Sequence, residues 1–179
     1  ASDGRHTRIY LSDGRWVAPM AALNKPALAA SSNWRAPARF AGRCAKEGPA
    51  LVIDVGSTTS DVVPLLDGEC VAVGRTDIER LISGELIYTG VERSPVCGVV
   101  QTVPYREQTC RVAQELFATT LDVYLILGDL AEDPSHPRTA DGRPATKSAA
   151  RTRLARMLGA DAEEFNHRDA VALANAVAG

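Results

Sequence analysis

The chain has 179 residues, 45% of them hydrophobic and 23% charged, with a formal net charge of −2 at pH 7. A chain of this length buries roughly 70% of its unfolded surface on folding, and its near-neutral charge excludes a global field for nucleic acid or an anionic membrane. No run approaches the ~18 uninterrupted apolar residues of a membrane span, and the polar stretch Ala1–Tyr10 does not read as a secretory signal, so a globular cytoplasmic protein with no membrane or nucleic-acid partner is expected.

In Thr7–Val17 a short apolar run, the turn pair Asp13-Gly14 and Trp16-Val17 predict a β-hairpin. Alanine-rich residues 20–45 predict one or two helices interrupted by Pro26 and Pro37. Gly48-Pro49 then announces Ala50–Val55, a continuous apolar run broken only by Asp54, which suits a strand buried on both faces. A second strand is expected at Val62–Leu66, with Pro64 at a bulge or a missing ladder bond. After the Asp67-Gly68 turn, a third at Glu69–Val73 completes an antiparallel meander.

Thr76-Asp77-Ile78-Glu79 has capping-box spacing, so a helix should start at Thr76 and end near Ser83 at Gly84. A strand near Leu86–Thr89 follows, and Val99–Val103 pairs with Cys110–Ala113 as a hairpin. Phe117, Leu121, Tyr124, Leu125 and Gly128 share helical spacing. Residues 131–145 have loop composition, and helices at about 146–158 and 161–178 finish the chain. It begins with Ala rather than Met and ends on a predicted helix, which reads as a fragment.

The chemistry concentrates in Asp54-Val55-Gly56-Ser57-Thr58-Thr59-Ser60-Asp61. A glycine admits close backbone approach, turn N–H groups form a concave anion nest, and hydroxyls donate to phosphate oxygens. Gly56, Ser57, Thr58 and Thr59 are therefore the candidate phosphate binders. Carboxylates repel phosphate, so Asp54 and Asp61 are candidate Mg²⁺ ligands joining metal to phosphate. The alternative is a plain hairpin turn with both aspartates capping backbone groups; a carboxylate inside an apolar run argues against it, because burial without a partner costs several kcal/mol.

The pattern D-x-G-S/T-T-S/T-x-D, followed by a strand, a D-G turn and a third strand, resembles a phosphate motif of the ASKHA superfamily shared by sugar kinases, actin and the hydantoinase/oxoprolinase group. A longer set extends the match: Ser32-Asn33-Trp34, Leu51–Leu66, Gly74–Leu81, Gly84–Gly90, Arg93-Ser94-Pro95, Glu115–Thr119, Asp122-Val123-Tyr124, Leu127-Gly128 and Thr139–Gly142. Together these are similar to the tetrahydromethanopterin-linked one-carbon-transfer pathway proteins, the hydantoinase-like group that includes the methanofuran-biosynthesis condensing enzyme.

The resemblance implies an α/β ASKHA fold (actin/hexokinase, ribonuclease H-like) whose antiparallel meander carries the phosphate hairpin. Residues 1–48 would link to a missing N-terminal half, and 49–179 would form the ribonuclease H-like domain of a two-domain protein. It implies a Mg²⁺-dependent transferase of methanofuran or methylofuran biosynthesis. Such an enzyme condenses a furanylmethyl diphosphate with a tyramine- or tyrosine-type phenol and releases diphosphate. Asp54, Asp61, Asp77 and Arg93 would be catalytic, with Asp54 and Asp61 on the metal. The partners are then the small-molecule diphosphate, the phenol and the remaining half of the protein, with a homo-oligomer left open. Two alternatives stand beside it: an ATP-dependent kinase or hydantoinase/oxoprolinase-like hydrolase, and a non-catalytic phosphate-ligand-sensing domain.

Other residues have ordinary explanations alongside functional ones. Thr76 and Glu79 fit a cap, Asp77 and Arg80 a surface pair, and Arg93 a solvated loop or a phosphate fork. Glu85 and Tyr88 are further candidates beside glycines. Asp141-Gly142 is first a turn, and Arg151, Arg153 and Arg156 read as a solvated helix face. His6, His136 and His167 lack metal-ligand spacing, and Cys44, Cys70, Cys97 and Cys110 form no C-x-x-C pair.

Overall fold

A computed structural model describes residues 7–136 and 138–179. Contacts divide the chain into two units, one of residues up to Val55 together with Thr59–Ile87, the other of Gly56–Thr58 together with Tyr88–Gly179. Within the first unit the helical segment before residue 48 packs on the sheet that follows it, Trp34 and Ala38 against Val63 and Leu65.

The first unit opens with the expected hairpin, β1 (Ile9–Tyr10) on β2 (Trp16–Val17). Three short helices follow, α1 (Pro19–Ala22), α2 (Pro26–Ala30) and α3 (Arg35–Ala41), before a 3₁₀ turn at Gly42–Cys44. Pro26 starts α2, and Pro37 sits in the first turn of α3 rather than interrupting a helix, because the N–H groups of a first turn have no intrahelical acceptor to lose. Strands β3 (Pro49–Val55), β4 (Ser60–Leu66) and β5 (Glu69–Cys70) form the antiparallel meander, with β6 (Leu86–Ile87) also pairing with β4. Pro64 interrupts no register; it lies between the residues of β4 that pair with β6 and those that pair with β5.

Two expectations fail in this sheet. The third strand ends at Cys70 rather than Val73, because the N–H groups of Val73 and Gly74 turn to the Glu85 carboxylate at 2.7 and 2.9 Å. β3 is covered on one face only: Ala50 and Val52 pack toward Trp34, Ala38, Val63 and Leu65, whereas Leu51, Ile53 and Val55 are 62%, 63% and 51% exposed. Among the described residues β3 pairs with β4 alone, leaving an apolar edge. The capping-box helix α4 (Asp77–Ser83) forms as read, with Thr76 and Glu79 capping reciprocally and Gly84 left-handed at φ 75°.

The second unit contains α5 (Val96–Val99), the hairpin β7 (Thr102–Tyr105) and β8 (Gln108–Arg111), and helices α6 (Thr120–Leu127), α7 (Lys147–Arg156) and α8 (His167–Ala178). α5 ends at Val99, where the sequence predicts the strand to begin, and β7 starts three residues later at Thr102. α6 starts later than its apolar spacing suggests, at the cap Thr119. α8 starts at the capping box Asn166/Asp169 rather than near Asp161, where residues 161–165 form a turn. One continuous core runs through Val103, Leu121, Leu125, Leu154, Met157, Phe165 and Leu173. No described helix is long and apolar enough to cross a membrane, and the four cysteines are free thiols.

Candidate phosphate-binding site

In the first unit, β-pairing sets Asp54 directly opposite Asp61. Their surroundings differ sharply. Asp54 is exposed, so the expected buried carboxylate is not there; one layer of helix covers this sheet, and its far end is open. Asp61 is buried, and its Oδ1 accepts from Arg80 Nη1 at 2.5 Å. Arg80 is itself buried, its guanidinium 4.1 Å from the Trp34 ring centroid, with Nη2 donating to the Glu85 carbonyl at 2.7 Å. Arg80 therefore does not form the surface pair with Asp77 that the helix spacing suggests. Its charge is satisfied by Asp61, a carbonyl and an aromatic face. Gly74 makes this possible, since a Cβ there would come within 2.7 Å of the Arg80 backbone nitrogen.

Asp77 is the first residue of α4 and exposed, a position where a carboxylate favours the helix dipole. Among the described residues no three His, Cys, Asp or Glu side chains gather into a metal-holding group, so Asp77 does not join Asp54 and Asp61 in a carboxylate cluster. Thr59 lies at the start of the return to the first unit and is half-buried.

In the second unit, the hairpin tip Gly56–Thr58 is pinned from behind. Val91 N donates to Gly56 O at 3.0 Å, and Glu92 N and Arg93 N donate to Ser57 O at 3.1 and 2.9 Å. The Gly56 and Ser57 carbonyl oxygens, which would repel phosphate, are thus already occupied. The Ser57 and Thr58 hydroxyls are 3.5 Å apart. A close backbone approach occurs at Gly90, where a Cβ would lie 2.5 Å from Gly56 O and Thr58 N. Ser94 Oγ accepts from Gly90 N at 2.8 Å, and Thr120 Oγ1 donates to Gly90 O at 2.7 Å. Arg93 is exposed and tied at its backbone to Ser57, which leaves its guanidinium for solvent or an anion.

The Hydantoinase/oxoprolinase family model matches residues 2–178. The chain belongs to the hydantoinase/oxoprolinase family. Over 145 residues, 81% of the chain, it is 34% identical to a (4-{4-[2-(gamma-L-glutamylamino)ethyl]phenoxymethyl}furan-2-yl)methanamine synthase of Methanocaldococcus jannaschii, covering 43% of that protein. It is 32% identical over 124 residues, 69% of the chain, to the synthase of the same name from Methanococcus vannielii, covering 55% of it. The chain thus spans about half the length of the curated relatives it matches.

Within this hydantoinase/oxoprolinase-family chain, three groupings escape sequence reasoning. Gly90, Ser94 and Thr120 hold the hairpin tip from positions more than thirty residues away in sequence; the glycine was the only visible signal. The Asp61–Arg80 pair crosses from strand to helix. Arg153, expected on a solvated face, is fully buried: Nε donates to Asp122 Oδ1 at 2.8 Å and Nη1 to Asp141 Oδ1 at 3.0 Å. Burial pushes the Asp122 carboxyl up from its ordinary value against the pull of Arg153. Burial works the same way on Asp141, but the Arg143 N–H and the Arg153 guanidinium outweigh it and hold that carboxyl low.

Of the remaining candidates, Glu85 is a backbone acceptor and Tyr88 is exposed. His136 lies 3.7 Å from Glu92, His167 is exposed, and His6 lies outside the described residues. A concavity of ≈ 560 Å³ lined by Pro104, Arg106, Glu107, Asn166, Arg168 and Asp169 includes none of the predicted site residues.

Mg²⁺ commonly takes one or two carboxylates and completes its shell with water and phosphate oxygens. The donor set fits that usage through Asp54, which carries an unshared charge, better than through Asp61, whose charge Arg80 already balances.

Proposed function

We propose that this chain is the phosphate-binding part of a transferase of methanofuran or methylofuran biosynthesis, built on an ASKHA-type fold. Its substrates would be a furanylmethyl diphosphate and a tyramine- or tyrosine-type phenol. The phenol oxygen bonds to the furanylmethyl carbon as the carbon–oxygen bond to diphosphate breaks. Diphosphate departs and the phenolic proton is released. The protein need supply no nucleophile, only a rigid cradle for the leaving group.

The observation that carries this reading is the hairpin tip whose Gly56 and Ser57 carbonyls are bonded to the N–H groups of Val91, Glu92 and Arg93. What the loop then offers an incoming diphosphate is the Ser57 and Thr58 hydroxyls and the Arg93 guanidinium, with Thr59 next in the chain. Asp54 would hold Mg²⁺, which supplies charge neutralisation to the departing diphosphate, while Asp61, whose charge Arg80 already balances, would be the weaker metal ligand. Asp77 keeps a place only at the periphery. The names of the two relatives support the substrate class, and the rest of the active site would lie in the half of those proteins that this chain does not match.

The family match also favours a second reading, an ATP-dependent hydrolase of hydantoinase or oxoprolinase type. Thermal shifts of the complete protein with Mg²⁺-diphosphate and with Mg²⁺-ATP separate the two. The transferase reading expects stabilisation of about 2–3 kcal/mol by diphosphate at a hundredfold excess over its Kd, with ATP no better than diphosphate. A response to ATP alone would replace it with the hydrolase reading.

A further inference from the structure

We infer that Arg153 is a positioning residue for the hairpin tip, holding the Gly56–Thr58 backbone in shape through Asp122 and the start of α6. The inference rests on the phosphate-binding reading for its functional consequence but on geometry for the coupling itself. A fully buried arginine in a helix needs more reason than packing, since a buried charge is costly unless fully paired. Here its fork spans two carboxylates from separate elements: Asp122 in the first turn of α6 and Asp141 in the 139–146 loop. Arg156 completes the clamp, with Nη1 3.3 Å from Asp141 Oδ2.

Asp122 is the link. Its other oxygen accepts from Thr119 N at 3.1 Å, fixing the first turn of α6. The next residue, Thr120, donates its N–H to Ser94 O at 2.9 Å and its hydroxyl to Gly90 O at 2.7 Å, and Leu121 N donates to Glu92 O at 3.3 Å. Gly90 in turn lies against the tip, and the three residues after it donate to Gly56 and Ser57. Each step is a hydrogen bond or a backbone contact without room for a side chain. All of them lie in the second unit, and among the described residues this chain of bonds joins the Arg153 guanidinium to the tip. Asp141 sets how firmly Arg153 is held, so closure of the 139–146 loop and order at the tip should rise and fall together.

Arg153→Lys tests this, because lysine keeps the charge that balances Asp122 and Asp141 but cannot span both carboxylates with a planar fork. Two readouts are taken on the same protein: amide hydrogen exchange, and calorimetric titration with Mg²⁺ and inorganic diphosphate. The expected result is exchange about tenfold faster at Val91, Glu92 and Arg93, unchanged exchange in β7 and β8, and diphosphate affinity about tenfold weaker, the scale on which losing an outer support of a binding group acts. Unchanged exchange at residues 91–93, or exchange raised equally throughout the unit, would overturn the inference and leave Arg153 a plain structural residue. Faster exchange at the tip with unchanged affinity would overturn its functional part. A parent protein that binds no diphosphate would sink the proposed function while the exchange result still decides the coupling. Should Arg153→Lys fail to fold, Asp141→Asn, at the more open end of the clamp, gives the same two readouts with smaller changes in the same direction.

Discussion

The two units hold themselves together by different means. The second has a continuous apolar core, with Leu125, Leu154, Met157, Phe165 and Leu173 fully buried. The first has a small cluster of Trp34, Ala38, Val63 and Leu65, next to a buried arginine stacked on the tryptophan, while Leu51, Ile53 and Val55 stay open. A sheet with one face covered and exposed apolar side chains on the other is suited to receive more protein. Asp54 and Asp61 stand on the less self-sufficient unit, and Gly56–Thr58 pack within the better-packed one.

The largest effects should come from breaking what each unit relies on. Leu154→Ala is expected to cost about 2–5 kcal/mol through lost burial and a residual cavity, and Arg80→Ala about 3–5 kcal/mol by leaving Asp61 buried without its cation. Ile53→Ala, on the bare face, should stay within about 0.5 kcal/mol in this chain. Denaturant unfolding of the three variants checks all of them. An Ile53→Ala cost equal to that of Leu154→Ala would end the contrast between a covered and an uncovered face.

The ion clamp of the second unit sharpens the comparison through pH. Asp141 has a folded pKa below its ordinary 3.8, so its contribution is fully present above that value and is lost as pH falls through the lowered one. Asp122, raised by burial, acts oppositely: its ionisation removes stability as pH rises from the ordinary value through the raised one. Stability measured from pH 6 down to 2 should therefore show a late acid loss that Asp141→Asn reduces, the remainder coming from carboxyls such as Asp133 that are also held low. An acid limb identical in the parent and the variant would show that Asp141 is not held low.

Local signals were legible in the sequence, and distant ones were not. Thr76, Glu79 and Gly84 define α4 because its N-terminal cap is made by residues three apart and its end by a single glycine, and the Asp13-Gly14 and Asp67-Gly68 pairs mark turns by their own backbone preferences. The meander and its Gly56–Thr59 turn follow from two apolar runs. Exposure of Asp54 was not legible, since an apolar strand reads alike whether one face or both are covered. Nor could spacing reveal that Arg80 reaches Asp61 across nineteen positions or that Arg153 is buried between Asp122 and Asp141; charges on a helix look solvated until their partners arrive from other elements. The shortening of β5 depends on Glu85 in the same way.

Asp54→Asn in the complete protein tests whether the 54–61 hairpin holds a Mg²⁺-diphosphate group. Asparagine keeps the size and much of the hydrogen-bonding capacity of aspartate but removes the charge that balances the metal. Since Asp54 is exposed, the variant should fold normally by circular dichroism. Turnover measured against Mg²⁺ concentration should fall at least ~100-fold, about 3 kcal/mol of transition-state stabilisation, with Asp61→Asn milder for any variant that folds. Near-normal turnover in folded Asp54→Asn, with an unaltered Mg²⁺ dependence, would contradict the account.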